Sequence, residues 1–185
     1  MPTEGDMIRP DRLTLKGQEA FRDAAELARS RGNPVVNDAH LFAVLLEQSE
    51  GIVVPLLQKA GLNLTALREG TARELDRFPK QSGQGSEPTF SRELNKVFDR
   101  AEAEAKALGD AYVSTEHLLI ALSKEKGTTA RTLLTAAGVS SDQLVEALMA
   151  KETLEKSELA AILQPRAAVS IGGEGRSVDT VPESL

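Results

Sequence analysis

Two histidines, His40 and His117, are the residues of this chain best suited by type to acid–base or metal chemistry. Each opens an apolar run, His40 before Leu41-Phe42 and His117 before Leu118-Leu119, and the two are 77 positions apart. A structural or catalytic zinc needs three or four ligands, and one histidine per passage with no cysteine supplies too few. The local sequence sets no nucleophile beside either ring, so a hydrolytic triad is not expected. Both are read as helix-start histidines bonded to backbone or to neighbouring polar groups. Nucleotide binding would need a glycine-rich turn with a lysine. Gly172-Gly173-Glu174-Gly175-Arg176-Ser177 lacks that lysine and the glycine spacing, and Glu174 would repel phosphate. No catalytic residue, no metal ligand and no cofactor is therefore assigned.

Asp110 and Glu116 are the remaining polar candidates. Together they suit a substrate amine or guanidinium. Equally, Glu116 suits the positive end of a helix dipole and Asp110 a loop backbone. Thr14 has the same two readings, as a ligand group or as a helix N-cap.

The elements that must carry these residues are helices. Gly109 to Leu119 reads as a helix stop, a short extended loop and a capped apolar helix. Gly109 suits the left-handed stop, and Ser114 or Thr115 the cap. Leu118 to Leu122 are apolar nearly all round, which predicts burial. The same passage stands at Gly32 to Phe42. Around it the spacing predicts a helix over about 15–31 with Phe21, Ala24, Ala25 and Ala28 inward, and a second from Asn37 over about 38–48. A third carries Ile52, Val53, Leu56 and Leu57 to Gly61. A fourth carries Leu64, Leu67 and Leu75 and stops at Pro79. Residues 79–89 read as a flexible linker. The series then repeats from Ser91, with Leu94, Val97, Phe98, Ala101, Ala105 and Leu108 on one face, and ends with Leu144, Val145, Leu148 and Met149.

The repeat is gapless. Residues 14–75 and 91–152 share 14 identities, concentrated at core and cap positions, so the match concerns a fold unit rather than composition. The predicted fold class is all-α, a pseudo-two-fold pair of four-helix repeats. Its segments are a lead-in at 1–12, repeat one at 13–78, a linker at 79–89, repeat two at 90–155 and a tail at 156–185. Residues 157–164 are able to continue a helix, and 165–185 read as disordered.

Composition narrows the function classes. The formal charge is −6 with acidic and basic residues interspersed, so the basic stripe of a nucleic-acid binder is missing. No apolar run reaches the length of a membrane span, and the amino terminus has no secretory pattern. No nucleic acid and no membrane are expected as partners, and the location expected is cytoplasmic.

The Gly-Asp-x-Tyr-Val-Ser-Thr-Glu-His-Leu-Leu passage, its duplication, and Leu56-Leu57-Gln58-Lys59-Ala60-Gly61-Leu62 resemble the Clp amino-terminal domain. The opening Asp11-Arg12-Leu13-Thr14 and the exit Leu75-Asp76-Arg77-Phe78-Pro79 resemble the ClpB-type AAA+ disaggregases more than the ClpA and ClpC relatives. The resemblance covers about residues 11–155. It implies a mobile domain of a hexameric AAA+ unfoldase that engages unfolded or aggregated polypeptide segments, or adaptor proteins, and passes them towards the motor. It implies a substrate-handling cluster at Thr14, Asp110 and Glu116. Leu13, Leu15 and Tyr112 flank that cluster and are the apolar candidates for a groove between repeats. Ala39 stands where Glu116 sits in the second repeat, a departure from the ClpC-type domains that use acidic residues in both repeats to recognise phosphoarginine. A stand-alone adaptor or regulator is the second reading of the same resemblance.

Overall fold

The computed structural model describes residues 8–83 and 85–163. The expectations for residues 1–7 of the lead-in and for 164–185 of the tail, Gly172 to Ser177 included, lie outside the described residues. A 3-10 turn at Pro10–Arg12 precedes α1 (Leu15–Ser30), β1 (Val35–Val36), α2 (Asp38–Glu47), α3 (Val53–Lys59) and α4 (Leu64–Leu75). After β2 (Thr89–Phe90) the helices return as α5 (Arg92–Leu108), α6 (Thr115–Lys124), α7 (Thr129–Ala136) and α8 (Ser141–Leu163). The chain divides into a compact unit ending at Lys151 and a second beginning at Glu152. The described part of the second unit is the remainder of α8.

Helices α2 and α6 organise the first unit. Leu41, Phe42, Leu45 and Leu46 of α2 are buried, as are Leu118, Leu119, Ile120 and Leu122 of α6. Each leucine so buried contributes about 2 kcal/mol of transfer free energy. Helix α2 packs on α1, α3 and α4 of its own repeat and on α5, α6 and α7 of the other. Helix α6 packs on α5 and α7 of its own and on α1, α2 and α3 of the other. Phe21 and Phe98, equivalent in the two repeats, meet edge to face with centroids 6.1 Å apart. The repeats therefore share one core.

Gly32, Gly61, Gly109 and Gly138 hold the left-handed backbone that ends a helix, with φ from 73° to 82°. The expected third helix begins at Val53, one residue after Ile52. The stretch read as a flexible linker is tied at both ends. Gln81 N–H donates to the Gly32 carbonyl at 2.8 Å, Asn33 Nδ2 to that of Pro79 at 3.0 Å, and Thr89 N–H to that of Pro34 at 3.1 Å. Its glycine and serine content signalled turns, and did not reveal that its carbonyls and amides meet partners of the first repeat.

Both histidines are cap residues at the third position of their helices. His40 Nδ1 accepts the Asn37 backbone N–H at 2.9 Å, and His117 Nδ1 that of Ser114 at 2.9 Å. These are capping boxes in which imidazole stands where Glu or Gln is usual. Because Nδ1 accepts, Nε2 carries the proton. It donates to Asn33 Oδ1 from His40, at 3.0 Å, and to Asp110 Oδ2 from His117, at 2.9 Å. Burial first, and the positive charge of Arg31 second, push His40 down to about 4. Asp38, next to the cap, is raised by burial although the Thr129 N–H donates to it at 2.6 Å.

Two predictions follow from this core and these caps. Replacing Leu45 or Leu122 by Ala should cost about 2–5 kcal/mol. Hydrogen exchange should show both repeats opening together in each variant, whereas separate opening would contradict a shared core. The second concerns pH. An unfolded imidazole binds its proton near pH 6.5, so between there and about pH 4 the unfolded state is protonated and native His40 is not. The stability is complete above that window and is lost on descending through it, by about 2–3 kcal/mol. Urea titrations at pH 7.5 and 4.5 should show this loss in the wild type and a smaller one in His40→Gln. That variant keeps an acceptor at the cap and the same Asp38.

Candidate functional site

The residues before α1 and before α6 are brought together by backbone. Leu13 and Val113 form a parallel bridge, in which Thr14 N–H donates to the Val113 carbonyl at 2.9 Å and Val113 N–H to that of Arg12 at 2.8 Å. Its counterpart is the β1–β2 pair, where Val36 faces Phe90 and Ser91 N–H donates to the Val36 carbonyl at 3.0 Å. Adding 77 to Leu13 gives Phe90, and adding 77 to Val36 gives Val113. The two ladders are one contact made twice about the pseudo-two-fold.

This contact places the sequence candidates. Thr14 is the N-cap of α1, its hydroxyl accepting the Gly17 N–H at 3.2 Å. The helix comes close to the bridge at Gly17, where a Cβ would sit 3.0 Å from Leu13 Cδ2 and 3.1 Å from the Val113 carbonyl. Leu15, the first residue of α1, is 77% exposed. Tyr112 precedes the bridge on the other strand and is 55% exposed. Leu13, by contrast, is 4% exposed and belongs to the core. Its alternation with exposed Leu15 comes from the bridge, which turns Leu13 inward. Asp110 holds His117 and keeps part of its carboxylate in solvent. Glu116, in the first turn of α6, makes no hydrogen bond or ion pair among the described residues.

Beside Leu15 lies an apolar cleft of about 450 Å³. Leu13, Leu15, Phe21 and Phe90 supply its apolar wall and Gln18 and Arg22 part of its polar edge. Phe90 is 39% exposed and meets Phe21 edge to face at 6.0 Å. Tyr112, Asp110 and Glu116 do not line this cleft. The candidates thus fall into an apolar group around Leu15 and a polar and aromatic group around Tyr112, joined by the Leu13–Val113 bridge. Arg9 and Arg12 flank the bridge and both reach Glu102 of α5, at 2.7 Å and 3.3 Å.

Phe90 was not among the sequence candidates. Its signal was present, since the repeat offset makes it the partner of Leu13. The histidine partners Asn33 and Asp110 were also legible, each seven positions before its histidine. Neither imidazole has a lone pair left for a metal, and the described residues hold no group of three or more His, Cys, Asp or Glu able to bind one. No described helix is long and apolar enough to cross a membrane.

Comparison with known proteins agrees with this architecture. The chaperone protein ClpB of Mycobacterium tuberculosis is 39% identical over 136 residues, which are 74% of this chain and 16% of that protein. The chain therefore spans about a sixth of the length of the relative it matches. Among solved structures, the Hsp104 N-terminal domain from Candida albicans superposes with a TM-score of 0.64 at 21% identity, covering 73% of this chain and 87% of that one. A ClpV N-domain in complex with a VipB peptide superposes with a TM-score of 0.59 at 23% identity, covering 75% and 89%. At those identities the likeness is one of fold. The Clp repeat (R) N-terminal domain family matches residues 12–137, the stretch that holds both ladders, both histidine caps and α1 to α7, and the chain belongs to that family.

Proposed function

We propose that this domain captures exposed segments of unfolded or aggregated polypeptides, or of adaptor proteins, for an ATP-driven ClpB-type motor carried by a longer parent. The observation that supports it best is the exposure of Leu15 and Tyr112 on either side of the Leu13–Val113 bridge. Large apolar side chains held in water by a rigid backbone contact are poised to be covered by a partner. The cleft beside Leu15 offers area to an extended chain at about 25 cal/mol per Å². Thr14, Asp110 and Glu116 supply polar contacts on the Tyr112 side of the bridge, apart from that cleft, in this reading, Glu116 having carboxylate capacity to spare. The ClpV N-domain of the same fold is seen with a peptide, which favours a peptide as ligand here.

Binding should be weak and reversible, because the captured segment orders as it binds. The same chemistry serves a disaggregase. Such a motor must pass its substrate on, and a tight trap at the entrance would oppose the pull.

The test is fluorescence anisotropy with a labelled, permanently unfolded protein such as reduced, carboxymethylated lactalbumin. Leu15→Ser and Tyr112→Ser should each weaken binding by about fivefold, and Glu116→Ala by a comparable factor, with the helical circular dichroism unchanged. Unaltered binding in all three variants would remove the assignment. The chain alone is expected to hydrolyse no ATP in a coupled assay.

A further inference from the structure

The two repeats differ at a second cleft, of about 530 Å³, lined by α1, α2 and α4 of the first repeat. It opens on another side of α1 from the cleft beside Leu15. Lys16, Asp23 and Leu27 face it, whereas Leu15, Gln18 and Arg22 face the other. Its apolar surface comes from Leu27, Ala43, Val44, Leu46, Ala72 and Leu75.

At the equivalent place in the second repeat, two ion pairs cross from α5 to the end of α6. Lys124 Nζ stands 2.7 Å from Glu104, and Arg100 Nε 2.7 Å from Glu125. Subtracting 77 gives Glu47 opposite Leu27, and Gln48 opposite Asp23. All four of those residues line the first-repeat cleft, and none of the pairs can form an ion pair. Position 72 is Ala where the second repeat has Met149. The first repeat has thus lost both bridges and has a smaller side chain on α4.

The polar groups around this opening are mixed, with carboxylates outnumbering cations, and two buried polar atoms, Gln48 Oε1 and Arg68 Nε, make no hydrogen bond among the described residues. The two cations of the lining are engaged. Lys16 stands 3.2 Å from Glu19, and Arg68 lies 2.9 Å from Glu47 while its Nη2 donates to the Leu46 carbonyl at 2.7 Å. Acceptors remain. Glu50 is exposed, with Lys16 only at 3.9 Å, and Asp23 has Arg22 at 3.3 Å. Gln48 Oε1 is buried and meets no donor among the described residues. An orphaned buried oxygen costs about 1–3 kcal/mol, so a ligand N–H that reaches it is favoured. The excess of carboxylates and the buried Gln48 oxygen favour an occupant that brings apolar side chains, a donor and positive charge.

We propose that the α1–α2–α4 cleft of the first repeat is a second peptide-binding site, for polypeptide segments in which apolar residues are interspersed with Lys or Arg. The apolar side chains enter between Leu27, Val44 and Ala72. A backbone N–H satisfies Gln48, and the cations face Asp23 and Glu50. The site is independent of the one around Leu15 and Tyr112.

The probe is a fluorescent peptide of alternating Leu and Arg, with its Leu–Glu counterpart as control, titrated with the whole chain. The Leu–Arg peptide should bind and the Leu–Glu peptide should not. Ala72→Trp fills the cleft without changing charge and should weaken the Leu–Arg peptide about tenfold. The quadruple variant Asp23→Arg, Leu27→Glu, Glu47→Lys and Gln48→Glu installs the bridges of the second repeat and should do the same. The titration is repeated in the Leu15→Ser, Tyr112→Ser background, where the first site is weakened; the Leu–Arg peptide should still bind there and Ala72→Trp should still weaken it about tenfold. Undiminished binding by a folded Ala72→Trp variant overturns the proposal, as does equal affinity for the acidic peptide. Loss of all binding in the Leu15→Ser, Tyr112→Ser background also overturns it, while leaving the first site standing.

Discussion

The structure depends on the mutual burial of two short helices that have no polar face to spare. Helices α2 and α6 are about three turns long and apolar nearly all round. Neither can be satisfied by its own repeat, because a helix lying on a single layer leaves one flank in water. Packing against each other, and against α3 and α7 of the opposite repeats, covers those flanks. The duplication is thereby compulsory: half of this unit would expose much of its own core.

Helices this deeply buried have amino termini that water cannot reach easily, and their first N–H groups need partners. The histidine caps answer that need. An imidazole accepts the cap N–H through one nitrogen and fastens the preceding loop through the other, to Asn33 in one repeat and Asp110 in the other. The loop so held is the one that forms each parallel bridge, at Val36 and at Val113. Capping, loop conformation and inter-repeat pairing are links of one chain of contacts. Exposed Leu15 and Tyr112 are positioned by it.

The proposed binding faces lie where the two halves stop being equivalent. Core positions keep their character across the repeat, as Phe21 and Phe98 or Leu45 and Leu122 show. Positions beside the histidine loops and on the faces of α1 and α2 have diverged, some of them buried in the first repeat, as Asn33 and Ala39 are. Asn33 is an amide where Asp110 is a carboxylate, Ala39 is small where Glu116 is charged, and Leu27–Glu47 faces a solvent that Glu104–Lys124 closes off. A pseudo-symmetric frame can therefore carry two different binding faces without penalty to its core.

Much of this fold was legible in the residues. Periodicity, glycine stops and the 77-residue offset identified eight helices and paired them into repeats, because burial and backbone geometry act locally on the sequence. The offset even held the partner of Leu13. The structure added what depends on neighbours distant in the chain. That Leu13 points into the core while Leu15 points out follows from the bridge to Val113, a hydrogen-bonded register that no local pattern records. The fastening of residues 79–89 to Gly32 and Asn33 likewise depends on carbonyls and amides, which are the same in every sequence. The open cleft of the first repeat depends on ion pairs present in one half and missing from the other, and whether two charges meet across a groove is decided only by how the helices pack.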